Sequence, residues 1–495
     1  MDNKNKTRKC GVLLHPTSFP SPYGIGDFGE EARITLKKLS EAGVKLWQIL
    51  PLGPTGYGNS PYSSLSCFAG NEYMIDLRSI DGVTVPEELK DSTLCSERIN
   101  YSDVYTRKFS LLKWAAAEYL KKSSEDEDFV SFCEENAWWL DDYALFRSLA
   151  DKFSDTRWFM WDGPIKKRTA ASVKKYEKEL KDSINVYKAL QFFFYTQWNS
   201  LHEYANSLGI SIIGDMPIFC AGDSVDVWTN KNLFLLDAKG NQKAGAGVPP
   251  DAFSPTGQYW GNPLYNWPAH EKESYDWFKK RVEMTLKNVD ILRIDHFRGF
   301  ESYWEIPAGS ETAESGSWKK GPGMKLLKNF SGMDIIAEDL GVMTEAVEQL
   351  LSDSGFPGMK VLQFAFDLSK GYFDTDNAFL PHNYNTNCVA YTGTHDNETT
   401  RGWYDSLSDD YKDIIRRYFQ CPDSDVVWQM IRVLIQGPAK YAIFPLQDLL
   451  GLDNSARMNA PSTVGSFNWS WRFDLNALDQ NSLNRLREYI SLYGR

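Results

Sequence analysis

Eight runs of six or seven mainly apolar, β-branched-rich residues recur along this 495-residue sequence and constrain its fold more than any other feature. They are KCGVLL at 9–14, VKLWQIL at 44–50, ISIIGDM at 210–216, VDILRID at 289–295, MDIIAE at 333–338, GMKVLQF at 358–364, NCVAYTG at 387–393 and YAIFPL at 441–446. Near-continuous apolar runs of this length are the signature of strands buried on both faces. Helical patterns lie between most of them. EEARITLKKLSEA at 30–42, for example, is followed by Gly43 as a C-terminal stop signal. Eight buried strands alternating with helices predict a (β/α)8 barrel of the α/β class spanning 1–495. An open doubly wound sheet uses the same alternation and is the alternative on pattern alone.

The spacing of the runs is uneven. The segment 67–208 is charged and periodic, and AWWLDDYALFRSLADKF and VYKALQFFFYTQWNSLHEYANSLG within it read as amphipathic helices. It is expected to be a mainly helical insertion after the second strand, because barrel insertions sit in the βα connections. A second insertion, 217–288, carries GVPPDAFSPTGQYWGNPLYNW at 247–267. Its Pro, Gly and aromatic content predicts an ordered loop without regular structure, of the kind that serves as a lid. No separate C-terminal β domain is expected.

Charge and cysteine content narrow the function. Lys and Arg number 54 and Asp and Glu 66, a net charge of −12. This disfavours a nucleic-acid-binding face, which needs clustered cations. The seven cysteines are scattered, with no CxxC or HxxxH spacing, so neither a disulfide framework nor a structural zinc is expected. No apolar stretch approaches membrane-spanning length, and the N-terminal apolar run is too short for a signal peptide. The expected compartment is a reducing cytoplasm, or an organelle stroma if a transit peptide has been removed, and the five N-x-S/T sequons read as chance.

Carboxylates close four of the runs: Asp215 in IIGDMP, Asp295 in ILRIDHFRG, Glu338 in IIAEDLG and Asp396 in VAYTGTHDN. The C-terminal strand ends of a barrel form its active face, so these groups should converge. Any one alone would read as a helix cap or surface charge. Neither HxH nor HExxH occurs among the six histidines, and GxSxG is absent. Glycosyl transfer fits instead, since it needs a carboxylate nucleophile and a carboxylic acid. Arg293 shares a strand face with Asp295, which predicts that it holds Asp295 ionised. Glu338, in a shielded site beside that charge, is then expected to stay protonated. GIGDFG at 24–29 matches GxGxxG, but Pro16, Pro20 and Pro22 stand where a strand would be required; a tight loop is expected there, not a nucleotide site.

RIDHFRG, AEDLG and THDN together resemble the α-amylase clan. With the lid segment, LLHPTSFPSPYGIGDFG, PLGPTGYGNSPYSS and RMNAPSTVGSFNWSWR at 457–472, the chain resembles the 4-α-glucanotransferases (amylomaltases or disproportionating enzymes, glycoside hydrolase family 77) nearly end to end. The resemblance implies Asp295 as nucleophile, Glu338 as general acid/base and Asp396 as transition-state stabiliser. It implies that Arg293, His395 and Asp215 support the same sugar ring, that Tyr57 serves glucan binding, and that Gln258 and Trp260 lie in a lid over the cleft. It implies malto-oligosaccharides and α-1,4-glucans as substrates, and no metal or organic cofactor. Two departures stand out: Ala252 where many members carry an aromatic residue, and Ser462 where Gly is common. An aromatic lid would exclude water and hold the acceptor, with Tyr259, Trp260, Tyr265 and Trp267 as stacking candidates or as loop packing. A mainly hydrolytic amylase-like enzyme and a non-catalytic glucan-binding protein are the alternatives, and oligomeric state is left open.

Overall fold

All eight runs form strands in the computed structural model, which describes residues 8–86, 98–123, 126–250, 254–368 and 371–495. They are β1 (Lys9–Leu13), β2 (Leu46–Gln48), β3 (Ser211–Pro217), β4 (Ile291–Asp295), β5 (Ile335–Ala337), β6 (Gly358–Val361), β7 (Cys388–Tyr391) and β8 (Tyr441–Pro445). Every ladder is parallel, and the order β6-β7-β8-β1-β2-β3-β4-β5 is that of a barrel. The seam closes where the Ala337 N–H donates to the Pro357 carbonyl at 3.0 Å and the Met359 N–H to Asp339 Oδ1 at 2.6 Å.

Alternation along the strands separates two cores. Leu13, Leu46, Ile213, Ile291, Ile336, Val361, Val389 and Ile443 form one buried cluster, and their neighbours Val12, Trp47, Ile212, Leu292 and Ile335 join the larger one that includes the helices. The first set is the barrel interior and the second its outer wall, because successive side chains point to opposite faces. Extending the inner set by two residues along β3 and β4 reaches Asp215, Arg293 and Asp295. The lumen is therefore apolar at depth and ionic at its C-terminal mouth.

The 67–208 segment contains the helices Phe109–Ser123, Glu127–Phe153, Ala170–Glu179 and Lys181–Ser207. The last returns to the barrel: the Trp198 ring lies 6.0 Å from that of Trp47, and its Nε1–H donates to the Asn288 carbonyl at 2.9 Å. Near the insertion's start, fully buried Lys108 reaches Asp27 at 3.2 Å, and Ser21 donates to the same carboxylate oxygen at 2.6 Å. Asp27 belongs to the GIGDFG loop, where Gly24 has φ +80° and a Cβ on Gly26 would lie 2.0 Å from the Pro16 carbonyl oxygen. These glycines serve close backbone packing, as expected. Among the described residues no helix is long and apolar enough to cross a membrane.

The expectation of an irregular 247–267 loop fails. Gln258–Pro263 pairs with Ala244–Val248 in an antiparallel sheet completed by Ser302–Pro307 and Ser317–Lys320 from the connection after β4. Two barrel insertions thus combine into one small sheet above the mouth. Its strand AGAGV hides from pattern reading because Gly has low strand propensity. Gly is required there: a Cβ on Gly247 would lie 2.1 Å from the Gln258 carbonyl oxygen.

Removing one member of a buried ion pair strands the other charge. Lys108→Ala is expected to lower unfolding free energy by about 3–5 kcal/mol, read from urea melts. A loss below about 1 kcal/mol would show that this pair does not fasten the insertion to the barrel.

Candidate active site

Successive strands deliver the charges to one rim. Asp215 and Arg293 stand opposite each other in the β3–β4 register, and Asp295 follows Arg293 by two residues on the same face. Arg293 is 4% exposed, which demands full compensation. Its Nη1 donates to Asp215 Oδ1 and Oδ2 at 2.8 and 2.6 Å, and its Nη2 lies 3.0 Å from Asp295 Oδ1. Tyr62 Oη donates to Asp215 Oδ2 at 2.7 Å. Asp215 is buried and fully engaged, whereas the Asp295 side chain keeps 31% of its exposure and is available at the mouth.

Glu338 sits just past β5, beside β4 in the sheet. Its Oε2 accepts the His296 backbone N–H and its Oε1 that of Leu340, each at 2.7 Å. His296 is in the left-handed region at φ +55°, an unfavourable conformation for a non-glycine residue. The strand ends there, and the His296 N–H goes to the Glu338 carboxylate. The residue following Asp295 therefore ties Asp295 and Glu338 to one local frame.

Asp396 arrives on the loop after β7. Asn459 Nδ2 donates to its Oδ1 at 2.7 Å, Arg457 donates to its carbonyl at 2.7 Å, and His395 Nε2 lies 3.4 Å from its Oδ2. His395 is buried and stacks on Tyr62 at 5.1 Å with 13° between planes. Burial pushes its pKa down, so the ring is neutral at pH 7. Tyr62 thus touches both Asp215 and His395 and joins the two halves of the rim.

Arg293, expected to hold Asp295 ionised, does stand beside it at 3.0 Å, and other influences oppose it. Burial drives the Asp295 pKa up to about 8; Arg293 opposes this, while Glu338, Asp215 and Asp396 add to the rise. Arg293 makes its shorter contacts with Asp215, so its charge is shared between the two carboxylates.

The aromatic candidates divide. Trp260 is 39% exposed, meets the His296 ring edge-to-face at 4.8 Å and donates to Gln258 Oε1 at 3.1 Å. Tyr259 is equally open. Tyr265 and Trp267 are buried and pack against Phe234, His270 and Phe278, so they are loop packing. Tyr57 is 86% exposed on a one-turn loop. Ser462 has φ +61°, which explains why Gly would suit that position. Ala252 lies outside the described residues.

Sequence reasoning missed Tyr62, His296 and Asn459. Tyr62 and Asn459 lie inside quoted motifs but on loops, where no periodicity marks a direction. His296 follows Asp295 directly, and its role depends on a backbone angle. Among the described residues no group of three or more His, Cys, Asp or Glu is arranged to hold a metal ion.

Residues 14–477 match the profile of the 4-alpha-glucanotransferases. The 4-alpha-glucanotransferase of Clostridium butyricum is 44% identical over 493 residues, covering 97% of this chain and all of that protein. That of Thermus thermophilus is 45% identical over 494 residues, with 97% of each chain covered. An amylomaltase from Streptococcus agalactiae, solved in complex with acarbose, superposes with a TM-score of 0.94 at 39% identity and 99% coverage of both chains. With the barrel, its rim of carboxylates and these full-length similarities in agreement, the chain belongs to the 4-alpha-glucanotransferase family.

Proposed function

We propose that this protein is a retaining 4-α-glucanotransferase of the cytoplasm, moving a segment of an α-1,4-glucan to the 4-hydroxyl of another glucan or of glucose. The observation that carries the reading is the joint placement of Asp295 and Glu338 at neighbouring strand ends, with the His296 N–H bonded to Glu338 and Arg293 beside Asp295. A single barrel with the insertions 67–208 and 217–288 supplies the scaffold and the cleft wall.

In the first step an Asp295 carboxylate oxygen attacks the anomeric carbon. The glycosidic C–O bond breaks, and Glu338 gives its proton to the departing 4-oxygen. In the second, the now ionised Glu338 takes the proton of an incoming 4-hydroxyl, whose oxygen attacks the same carbon and releases Asp295. Two inversions give net retention. Asp396, oriented by Asn459, holds hydroxyls of the reacting ring; Arg293, Asp215 and His395 frame the same ring. Trp260, Gln258 and Tyr57 line the path of the glucan. Nothing in these steps requires a cofactor.

The first step requires one proton on the pair. That proton must sit on Glu338 with Asp295 ionised, whereas burial and the surrounding carboxylates raise the Asp295 pKa. Glucan binding must therefore stabilise the ionised Asp295, which it does as the electron-poor anomeric carbon approaches. Transfer in place of hydrolysis follows from an acceptor held in place and water excluded beneath the Tyr259–Trp260 strand.

Incubation with maltotriose is expected to yield glucose and a ladder of longer oligomers. Reducing ends without lengthening would show a hydrolase, and no turnover a binding protein. Asp295→Asn should lose at least about 1,000-fold in kcat while keeping glucan affinity. Retained turnover would refute its role.

The pH dependence has a definite sign. Loss of the pair's last proton should reduce kcat/KM for glucans as pH rises through about 8. Glu338→Gln should be severely impaired on glucans but active on malto-oligosaccharyl fluorides, whose leaving group needs no proton. In that variant the rate must rise with pH, because only Asp295 ionisation remains, and its midpoint must lie below the wild-type one because the neighbouring negative charge is gone. A falling profile, or no rescue, would contradict the assigned roles.

A further inference from the structure

Two cysteines meet beside the catalytic rim, and no step of the transfer uses them. Cys67 follows Tyr62 by five residues on the segment after β2, and Cys220 follows Asp215 by five on the segment after β3. Their Sγ atoms lie 3.2 Å apart, so one thiol donates to the other. Cys67 is half-buried and Cys220 is buried. Both line a cavity of about 90 Å³ whose wall also includes Tyr62, Asp215 and Arg281. A cavity of that size holds molecules of a few heavy atoms.

A buried cation faces this pair. Arg281, on the helix Asp276–Asn288, is 3% exposed. Its Nη1 donates to the Ile218 carbonyl at 2.9 Å and to Tyr265 Oη at 2.8 Å, and its Nη2 donates to the Pro217 carbonyl. These partners are neutral, and a desolvated guanidinium calls for a counter-charge. The carboxylate of Asp226 acts on it only through space and is itself pushed up to about 6 by burial. The cysteine pair stands closer to its contacts: Cys220 Sγ lies 3.4 Å from the Tyr265 Oη that Arg281 holds.

Burial alone would raise the Cys220 pKa, but the hydrogen bond from Cys67 and the charge of Arg281 bring it below the usual thiol value. Burial and that same bond push Cys67 up. Burial also pushes up Cys10, Cys133, Cys388 and Cys421, the remaining described cysteines. An acidified thiol beside a cation, with a second thiol in contact, is the arrangement of a peroxide-reactive cysteine and its resolving partner.

We propose that Cys67 and Cys220 form a peroxide-sensitive redox site, and, on the reading of the chain as a glucanotransferase, that its closure to a disulfide slows transfer. The Cys220 thiolate attacks one oxygen of hydrogen peroxide; the O–O bond breaks, Cys220 becomes the sulfenic acid and hydroxide leaves. The Cys67 sulfur then attacks the Cys220 sulfur; the S–O bond breaks, and the Cys67 proton departs with that oxygen as water. The two sulfurs together lose two electrons and the peroxide gains them. A thiol reductant reverses the bond.

Two changes reach the rim. The sulfurs must close from 3.2 Å to about 2.05 Å, which draws the Tyr62 and Asp215 segments together. Arg281 also loses its counter-charge while it holds the carbonyls two and three residues past Asp215. Asp215 in turn fixes Arg293, which stands beside Asp295.

The test treats the reduced full-length protein with hydrogen peroxide, blocks free thiols, and maps the digested peptides by mass spectrometry while maltotriose turnover is followed. The expected product links the peptides of Cys67 and Cys220, with a fall in kcat of about 10- to 100-fold, the scale of a misplacement of about 1 Å at a reacting group. Dithiothreitol should restore it. Cys67→Ser should give no link and should carry a dimedone adduct on Cys220, the trapped sulfenic acid. No Cys67–Cys220 link in wild type, a link that leaves kcat unchanged, or the same peroxide loss in the Cys67→Ser, Cys220→Ser double variant would each overturn the proposal. The wild-type map decides even where a variant does not fold. If the reduced wild type does not turn over maltotriose, the glucanotransferase reading fails, and the link and the adduct still decide the redox site.

Discussion

The bond between Arg293 and Asp215 inside the barrel mouth is the constraint on which the site depends. A guanidinium almost sealed from water must be matched in charge and in hydrogen bonds, and two strands of the barrel supply the partners. Asp215 takes one Nη atom with both oxygens, Asp295 takes the other, and Tyr62 closes the remaining valence of Asp215. Side-chain alternation forces these groups inward once the apolar residues at depth are inward, so packing and chemistry share one register. A one-residue slip of β4 would send Arg293 and Asp295 to the helix layer.

Electrostatics at the rim follow from that sharing. Arg293 divides its charge between two carboxylates, and desolvation wins at Asp295. Glu338 is fixed by two backbone donors and not by a cation. It can therefore alternate between acid and base without breaking an ion pair. One of those donors is the N–H of His296, a residue in the left-handed region.

How much of this was legible in the sequence varied with the physics of each segment. The eight runs were readable because strands buried on both faces have no polar alternation to confuse them, and Asp215, Asp295, Glu338 and Asp396 were readable because they terminate or follow such runs. The small sheet was not: AGAGV and SWKK carry little strand propensity, and they pair through glycine clearance and cross-strand aromatics that only appear in three dimensions. Tyr265 and Trp267 look like Trp260 in sequence but face the core, since aromatic identity does not encode direction in a loop. The share of Arg293 taken by Asp215 depends on β3–β4 register, which no single-strand pattern contains.

The central claim is that Asp295 makes the bond to sugar carbon. It is tested most directly by mass spectrometry of peptides from the Glu338→Gln variant, acid-quenched during turnover of a malto-oligosaccharyl fluoride. With the acid/base group gone, the intermediate should accumulate. The account predicts a glucan-sized mass increase on the peptide bearing Asp295, absent when Asp295 is also replaced by Asn. An adduct on another carboxylate, or consumption of the fluoride with inversion and no adduct at any time, would contradict it.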